Sequence, residues 1–119
     1  MKLLIHSIEG NSIAELQSDR VEINSVEDSL DLMGNSDYQG ARKIIVKKEH
    51  LCSDFFDLKT GIAGEILQKF SNYRMQLAIV GDFSGQTSKS LRDFIFESNK
   101  TGRILFVPNR EEAIRLLSY

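Results

Sequence analysis

The chain has little or none of several residue types, and each shortage excludes a class of protein. Its 119 residues include one cysteine, Cys52, one proline and no tryptophan. A single cysteine excludes an internal disulfide and a cysteine-based zinc site, and it is typical of a reducing compartment. No apolar run reaches the roughly 20 residues that a membrane-spanning helix needs. The first segment, MKLLIHSIEG, has a short apolar run broken by His6, so we expect no signal peptide.

An excess of charge of one sign is also lacking. The 15 lysines and arginines are interleaved with 17 aspartates and glutamates, which gives a net charge of −2. Proteins that bind nucleic acid or anionic membranes concentrate positive charge on one surface. We therefore expect neither a nucleic-acid nor a membrane partner, and we expect a cytoplasmic protein.

What is present is an ordinary globular composition, with 41% hydrophobic and 27% charged residues, and the length suits one domain over residues 1–119. The apolar runs KLLIHSI and IAELQS flank a glycine-containing turn and predict a hairpin, which RVEIN is a candidate to extend. RKIIVK, MQLAIVGD and RILFV then alternate with helical patterns, which favours right-handed crossovers and parallel pairing. We predict an α/β domain with a mixed, mostly parallel sheet of five or six strands, an N-terminal antiparallel hairpin and four helices.

Capping residues and breakers predict the helix bounds. Asn24 or Ser25 begins the first helix, which GNSDYQG should break; the third helix lies in SKSLRDFIFESN, and Asn109 caps the last one. The second helix is predicted to run from near Asp57 to about Phe70.

The start of this second helix contains two glycines, Gly61 and Gly64. Each costs a helix about 1 kcal/mol relative to alanine. They indicate a helix start that is open to close approach, either by the sheet behind it or by a partner outside. For the glycines the sheet is the favoured explanation. For the polar residues Asp57, Lys59 and Thr60, which precede them, an outside partner is favoured.

Ligands of open α/β sheets tend to bind beyond the carboxyl ends of the parallel strands. Two polar loops follow strands there, KEHLCSDFFDLKTG and GDFSGQTSKS, and they share one rim if their strands are neighbours. The candidate partner-binding or ligand-binding residues of these loops and the following helix start are Asp57, Lys59, Thr60, Gly61, Gly64, Asp82, Ser84, Ser88 and Lys89.

Catalytic alternatives have little support in the sequence. Cys52 or Ser84 could act as a nucleophile with His50 as base, but no third group that would orient the base is identifiable. His6 and His50 have no carboxylate at metal-ligand spacing, so we expect no metal. We expect no cofactor either, and the sequence favours a non-catalytic module over an enzyme.

Two phosphate-related alternatives are also weak. The loop GDFSGQTSKS lacks the G-x-x-x-x-G-K-[ST] pattern of a P-loop. A bound anion on its backbone amides is less favoured than Ser88 acting as a simple helix cap. A receiver-type phosphoacceptor site would need a pair of acids after the first strand, and SIEG does not provide one.

The segment FFDLKTGIAGEIL resembles the [FI]-[IV]-D-S-S-G-[LIV]-[GA] motif of STAS domains of the anti-sigma-factor antagonist type. MQLAIVGDF and LRDFIFESNKTGRILFVPNREEAI are similar to the strand, helix, strand and helix that follow in that family, so the resemblance covers roughly residues 40–117. The whole chain also resembles a bacterial family of unknown function, which implies no activity.

The STAS resemblance implies a small non-enzymatic module that binds a protein through this helix start. It implies that Thr60 is a phosphoacceptor, Gly61 the glycine that permits close approach, and Asp57 the acid of the motif. Two departures weaken the match to phosphoregulated members. Asp57 lies three residues before Thr60 instead of two, and Leu58 and Lys59 replace a serine.

Three hypotheses follow. The first is a STAS-like regulatory module that docks an unidentified protein through residues 57–64 and 82–89. The second is a small-molecule or anion-binding domain, with or without catalysis, that uses Lys59, Thr60, Asp82, Ser84 and Lys89 on the same rim. The third is a homo-oligomer built on the edge of the N-terminal hairpin.

Overall fold

The chain folds around one mixed β-sheet with helices on both faces. The computed structural model describes residues 1–85 and 88–119. The strands are β1 (Lys2–Ile8), β2 (Asn11–Gln17), β3 (Lys43–Lys47), β4 (Gln76–Val80) and β5 (Ile104–Val107). They lie side by side in chain order; β1 is antiparallel to β2, and the other neighbours are parallel. The predicted α/β fold with an N-terminal antiparallel hairpin is confirmed.

The helices are α1 (Val26–Tyr38), α2 (Ser53–Phe56), α3 (Ile62–Tyr73), α4 (Lys89–Thr101) and α5 (Arg110–Leu117), with 3₁₀ turns at Lys48–His50 and Leu58–Thr60. The four predicted helices are present, and the one-turn helix α2 is additional. Because parallel strands in chain order are joined by right-handed crossovers, α1, α3 and α4 pack on the same face of the sheet. Helix α5 follows the last strand and covers the opposite face. None of these described helices is long and apolar enough to cross a membrane.

Strand β3 illustrates why the central strands are continuous apolar runs. Ile44 and Val46 are buried on the face that α1 and α3 cover, whereas Ile45 is buried on the face of α5. A strand covered on both faces has no solvent side for polar residues. The prediction that RKIIVK is buried on both faces is therefore confirmed.

The segment RVEIN does not extend the hairpin. Instead, Ile23 forms an isolated parallel bridge with Leu51. The amides of Glu22 and Ile23 both donate to the carbonyl oxygen of His50 at 2.9 Å. This segment therefore pairs with the turn after β3, and the described sheet has five strands.

The predicted break of the first helix at GNSDYQG is wrong. Helix α1 passes through Gly34 and continues to Tyr38. The buried Ser36 donates its hydroxyl to the carbonyl of Ala41 at 2.5 Å, so this polar side chain has a partner beyond the helix end. Gly40, with φ of 87°, ends the helical region instead.

The predicted start of the second helix at Asp57 is also wrong. The side chain of Asp57 accepts from the amide of Lys59 at 3.2 Å and begins the second 3₁₀ turn. That turn ends at Gly61, which has φ of 79°, and α3 starts one residue later at Ile62. A left-handed residue between the two elements interrupts the helix, and glycine adopts this conformation at little cost.

A buried carboxylate ties the hairpin to α5. Glu15 is 8% exposed, and it accepts hydrogen bonds from His6 Nε2 and Arg110 Nε, both at 2.8 Å. Arg110 Nη2 also lies 3.1 Å from His6 Nε2, but a ring nitrogen that donates to Glu15 cannot accept from Arg110. Burial raises the pKa of Glu15, but the hydrogen bonds from Arg110 and His6 outweigh it, and the pKa lies below its ordinary value.

This lowered pKa gives a pH-dependent stability. The unfolded carboxyl has a pKa of about 4.3, so the contribution of Glu15 is complete above that pH and is lost as the pH falls through the folded pKa. We expect Arg110→Gln to lower the free energy of unfolding by about 1–2 kcal/mol at pH 7 and by less at pH 3. Urea unfolding at both pH values measures this, with the exposed Arg20→Gln as control. An effect of Arg110→Gln that does not change with pH would contradict the assignment.

Candidate functional site

The two predicted loops meet where β3 and β4 end. Because these strands are parallel neighbours, the segment between β3 and α3 and the segment between β4 and α4 leave the sheet at the same edge. The rings of Phe56 and Phe83 join them, with centroids 6.2 Å apart. The ammonium of Lys48 lies over both rings, 5.9 Å from the centroid of Phe56 and 5.3 Å from that of Phe83. We call residues 48–64, 81–85 and 88–89 at this edge the docking rim.

Thr60 is exposed at the start of α3, and its hydroxyl is hydrogen-bonded to the backbone. Its Oγ1 lies 2.7 Å from the carbonyl oxygen of Asp54 and 2.9 Å from that of Asp57, to which it donates. The same oxygen accepts from the amide of Ile62 at 3.3 Å. Thr60 therefore supports the local turn and also presents its side chain to solvent.

Helix α3 receives no side-chain hydrogen bond from its N-cap residue, although Thr60 Oγ1 accepts from the amide of Ile62. Its N-cap residue is Gly61, which has no side chain, and the first helical hydrogen bond runs from the amide of Glu65 to the carbonyl of Gly61. The amides of Ala63 and Gly64 lie in the first turn, where no helical carbonyl is available to them. A helix start of this kind favours negative charge beside it.

The prediction that the sheet accounts for Gly61 and Gly64 is wrong. A Cβ built on either glycine would meet no atom within 4 Å, and both residues are exposed. Gly61 is explained by its positive φ. Gly64 has no comparable reason among the described residues, since its backbone is helical and its missing side chain faces open space.

The polar residues of the second loop mainly stabilise its own turn. Ser84 donates to Asp82 Oδ1 with its hydroxyl at 2.6 Å and its amide at 3.0 Å, and these bonds lower the pKa of Asp82. Ser88 caps α4 by accepting from the amide of Leu91 at 3.2 Å. Lys89 pairs with Asp93 of the same helix at 2.7 Å. Gln86 and Thr87, which the sequence places in this loop, lie outside the described residues.

Two residues of the docking rim escaped the sequence reasoning. Neither Lys48 nor Phe83 is among the predicted site residues. In the fold, Lys48 Nζ also donates to the carbonyl of Asp82 at 3.2 Å, so it joins the two loops. Only the pairing of β3 with β4 brings these groups together, so no local motif reveals them.

The nucleophile hypothesis has no supporting geometry at His50. The ring is 1% exposed; its Nδ1 accepts from the amide of Lys47 and its Nε2 donates to the carbonyl of Ser18, both at 2.9 Å. Both ring nitrogens are thus occupied by backbone groups. Neither is available to take a proton from Cys52 or Ser84.

Three cavities lined by described residues lie beside the sheet. Two of them, of about 320 and 260 Å³, lie at the edge opposite the docking rim, where β3, β4 and β5 begin. A third, of about 30 Å³, lies beside Glu15 and Arg110. Asp57, Lys59 and Thr60 are exposed on the rim.

The fold is that of a STAS-like α/β domain. The solved structure of a Thermotoga maritima protein proposed to be an anti-sigma factor antagonist has the same fold, with a TM-score of 0.50 and 14% sequence identity. The alignment covers 98% of this chain and 95% of the other.

The chain belongs to the family described as domain of unknown function DUF4180, whose model matches residues 8–117. No protein with a curated description matches the chain. The membership and the structural similarity support the resemblance that the sequence suggested.

Proposed function

We propose that this protein is a cytoplasmic regulatory module that captures a partner protein on the docking rim, and that phosphorylation of Thr60 releases the partner. The observation that carries the proposal is Gly64. It weakens an exposed part of α3 by about 1 kcal/mol, and no described neighbour needs the space it leaves. Close approach by a partner backbone would account for it.

The surroundings of Thr60 support a role for phosphorylation. A phosphate there would lie beside the uncapped amides of Ala63 and Gly64 and next to Lys59, all of which favour negative charge. It would also remove the hydroxyl donor that bonds the carbonyls of Asp54 and Asp57. The modification would thus change both the charge of the rim and the conformation of the 3₁₀ turn.

The structural similarity to the T. maritima protein supports this proposal at the level of fold. That protein is proposed to be an anti-sigma factor antagonist, which acts on another protein. The exposed side chains of Asp57, Lys59 and Thr60 are available for contact with a partner protein. We propose no cofactor and no catalytic residue.

The decisive experiment compares two substitutions at one position. The wild-type protein is used to capture its partner from the native host, and the partner is identified by mass spectrometry and purified. Thr60→Glu should weaken binding of the purified partner at least about tenfold, because it adds negative charge to the contact surface. Thr60→Val removes the hydroxyl without adding charge and should weaken binding by less than about threefold.

Thermal unfolding shows whether both variants remain folded. Mass spectrometry of the protein from host cells tests for phosphate on Thr60. Equal affinity for wild type and Thr60→Glu would contradict the docking surface. Equal loss in Thr60→Glu and Thr60→Val would assign Thr60 a structural role instead.

A further inference from the structure

Positive charge is concentrated at the edge of the sheet opposite the docking rim, where β3, β4 and β5 begin. The open cavity of about 260 Å³ lies there. Its lining residues are Arg42, Lys43, Arg74, Gln76, Thr101, Gly102 and Arg103. Four of these are basic, and none of the lining residues is acidic, although acidic residues outnumber basic ones in the chain. Like charges around one cavity repel one another unless an anion lies among them.

Two of the four cations already have partners. Arg42 donates to Asp37 Oδ1 at 2.8 Å and to the carbonyl of Tyr73. Lys43 Nζ donates to the carbonyl of Leu117 at 2.6 Å and has further acceptors in Asn11 Oδ1 and the carbonyl of Tyr119. Their charges are therefore directed in part to groups outside the cavity.

The other two cations are arginines with unused donors. Arg103 donates one N–H to the carbonyl of Met75 at 3.0 Å, which leaves the rest of its guanidinium free to bind another group. For Arg74 the structure gives no side-chain hydrogen bond or ion pair with any described residue. No described carboxylate neutralises either guanidinium.

The ends of α3 and α4 do not account for this cluster. Helix C-termini carry partial negative charge and attract cations. Three carbonyls at this edge already have side-chain donors: Arg42 for Tyr73, Arg103 for Met75, and Gln76 for Gly102. The guanidinium of Arg74 takes no part in these bonds.

An apolar cavity of about 320 Å³ adjoins the basic one, and Arg42 lines both. Its other lining residues are Leu30, Met33, Gly34, Asp37, Tyr73 and Met75. Gly34 lies within α1, and a Cβ there would meet no atom within 4 Å, so the helix leaves this space open. A ligand that fills both cavities must combine an anionic group with an apolar body.

We propose that this edge of the sheet binds a small phosphorylated molecule whose phosphate contacts Arg74 and Arg103 and whose apolar or aromatic body fills the cavity beside Gly34. A phosphate monoester carries nearly two negative charges at pH 7, which matches the two guanidiniums without an acidic partner. Arginine binds phosphate oxygens through two parallel hydrogen bonds. A carboxylate would leave one guanidinium unneutralised.

The test is calorimetric titration of the protein with 1-naphthyl phosphate, and with inorganic phosphate and 1-naphthol as the two partial probes. We expect 1-naphthyl phosphate to bind at least about tenfold more tightly than either partial probe, because only it occupies both cavities. Arg74→Gln should weaken its binding about tenfold by removing charged hydrogen bonds. Arg20→Gln, which removes an exposed arginine elsewhere, should have no effect.

A second variant tests the apolar cavity separately. Gly34→Leu fills the space beside α1 and should weaken binding of 1-naphthyl phosphate while leaving the affinity for inorganic phosphate unchanged. Thermal unfolding confirms that each variant is folded. Binding of 1-naphthyl phosphate that is undetectable, or no tighter than that of inorganic phosphate, would overturn the proposal. Equal effects of Arg74→Gln and Arg20→Gln would also overturn it.

Discussion

Replacing His50 by alanine is expected to lower the free energy of unfolding by about 3 kcal/mol. The ring is almost fully buried, and each of its nitrogens has a backbone partner, the amide of Lys47 and the carbonyl of Ser18. Alanine would leave both part-buried groups without this hydrogen bond, which costs about 1–3 kcal/mol for each group if water does not replace the ring. It would also leave a cavity.

His50→Asn is the matched control, because the Asn side-chain oxygen can accept from the amide of Lys47 as Nδ1 of His50 does. We expect it to restore about 1 kcal/mol of the loss. Urea unfolding monitored by circular dichroism measures all three proteins. A loss below about 1 kcal/mol in His50→Ala would show that water replaces the ring without penalty. His50 would then not be the group that holds the turn after β3.

Gly81→Ala is expected to lower the free energy of unfolding by about 2 kcal/mol. A Cβ at this position would stand 2.7 Å from Cβ of Lys48 and 3.3 Å from Cζ of Phe83. The Cβ of Lys48 is attached directly to the backbone, so it cannot move aside unless the turn after β3 moves with it. The close approach of the two loops therefore requires glycine at the end of β4.

Gly64→Ala makes the same chemical change at the same edge of the sheet, but we expect it to raise the free energy of unfolding. Its Cβ meets open space, and alanine favours the helix, so we expect a gain of up to about 1 kcal/mol. Urea unfolding of both variants gives the comparison. Destabilisation by Gly64→Ala, or no effect of Gly81→Ala, would contradict the distances on which the pair is based. Weaker partner capture by a stabilised Gly64→Ala protein would support contact at α3.

The two edges of the sheet now have separate hypotheses. The docking rim at the carboxyl ends of β3 and β4 includes exposed polar residues and the start of α3. The opposite edge has two adjoining cavities, one basic and one apolar. Strands β3 and β4 run from one of these edges to the other. A ligand at one edge and a partner at the other would therefore contact opposite ends of the same strands. Measuring partner affinity with and without 1-naphthyl phosphate would test for coupling between them.

Much of the fold could be predicted because it depends on local patterns. The apolar periodicities place the hairpin, the central strands and the four longer helices. The caps Ser25, Ser88 and Asn109 bind the amides that their spacing indicates. Such bonds form within a single turn, so the sequence around each cap is sufficient to predict them.

The errors in helix bounds occurred where a partner or a backbone angle decided the outcome. Ser36 is compatible with the end of α1 because its hydroxyl reaches Ala41 beyond the helix. Gly61 separates the 3₁₀ turn from α3 because it adopts a left-handed conformation. The composition of these segments predicts neither the continuation of α1 nor the interruption at Gly61.

The sequence by itself determined the class of fold and the order of the strands and longer helices. Only the tertiary structure decided that Gly64 faces solvent, that His50 is a buried structural group, and that Arg74 and Arg103 share one cavity. The physical reason is the common direction of the parallel strands. Basic residues that are far apart and interleaved with acids along the chain become neighbours because parallel strands align their starting ends at one edge of the sheet.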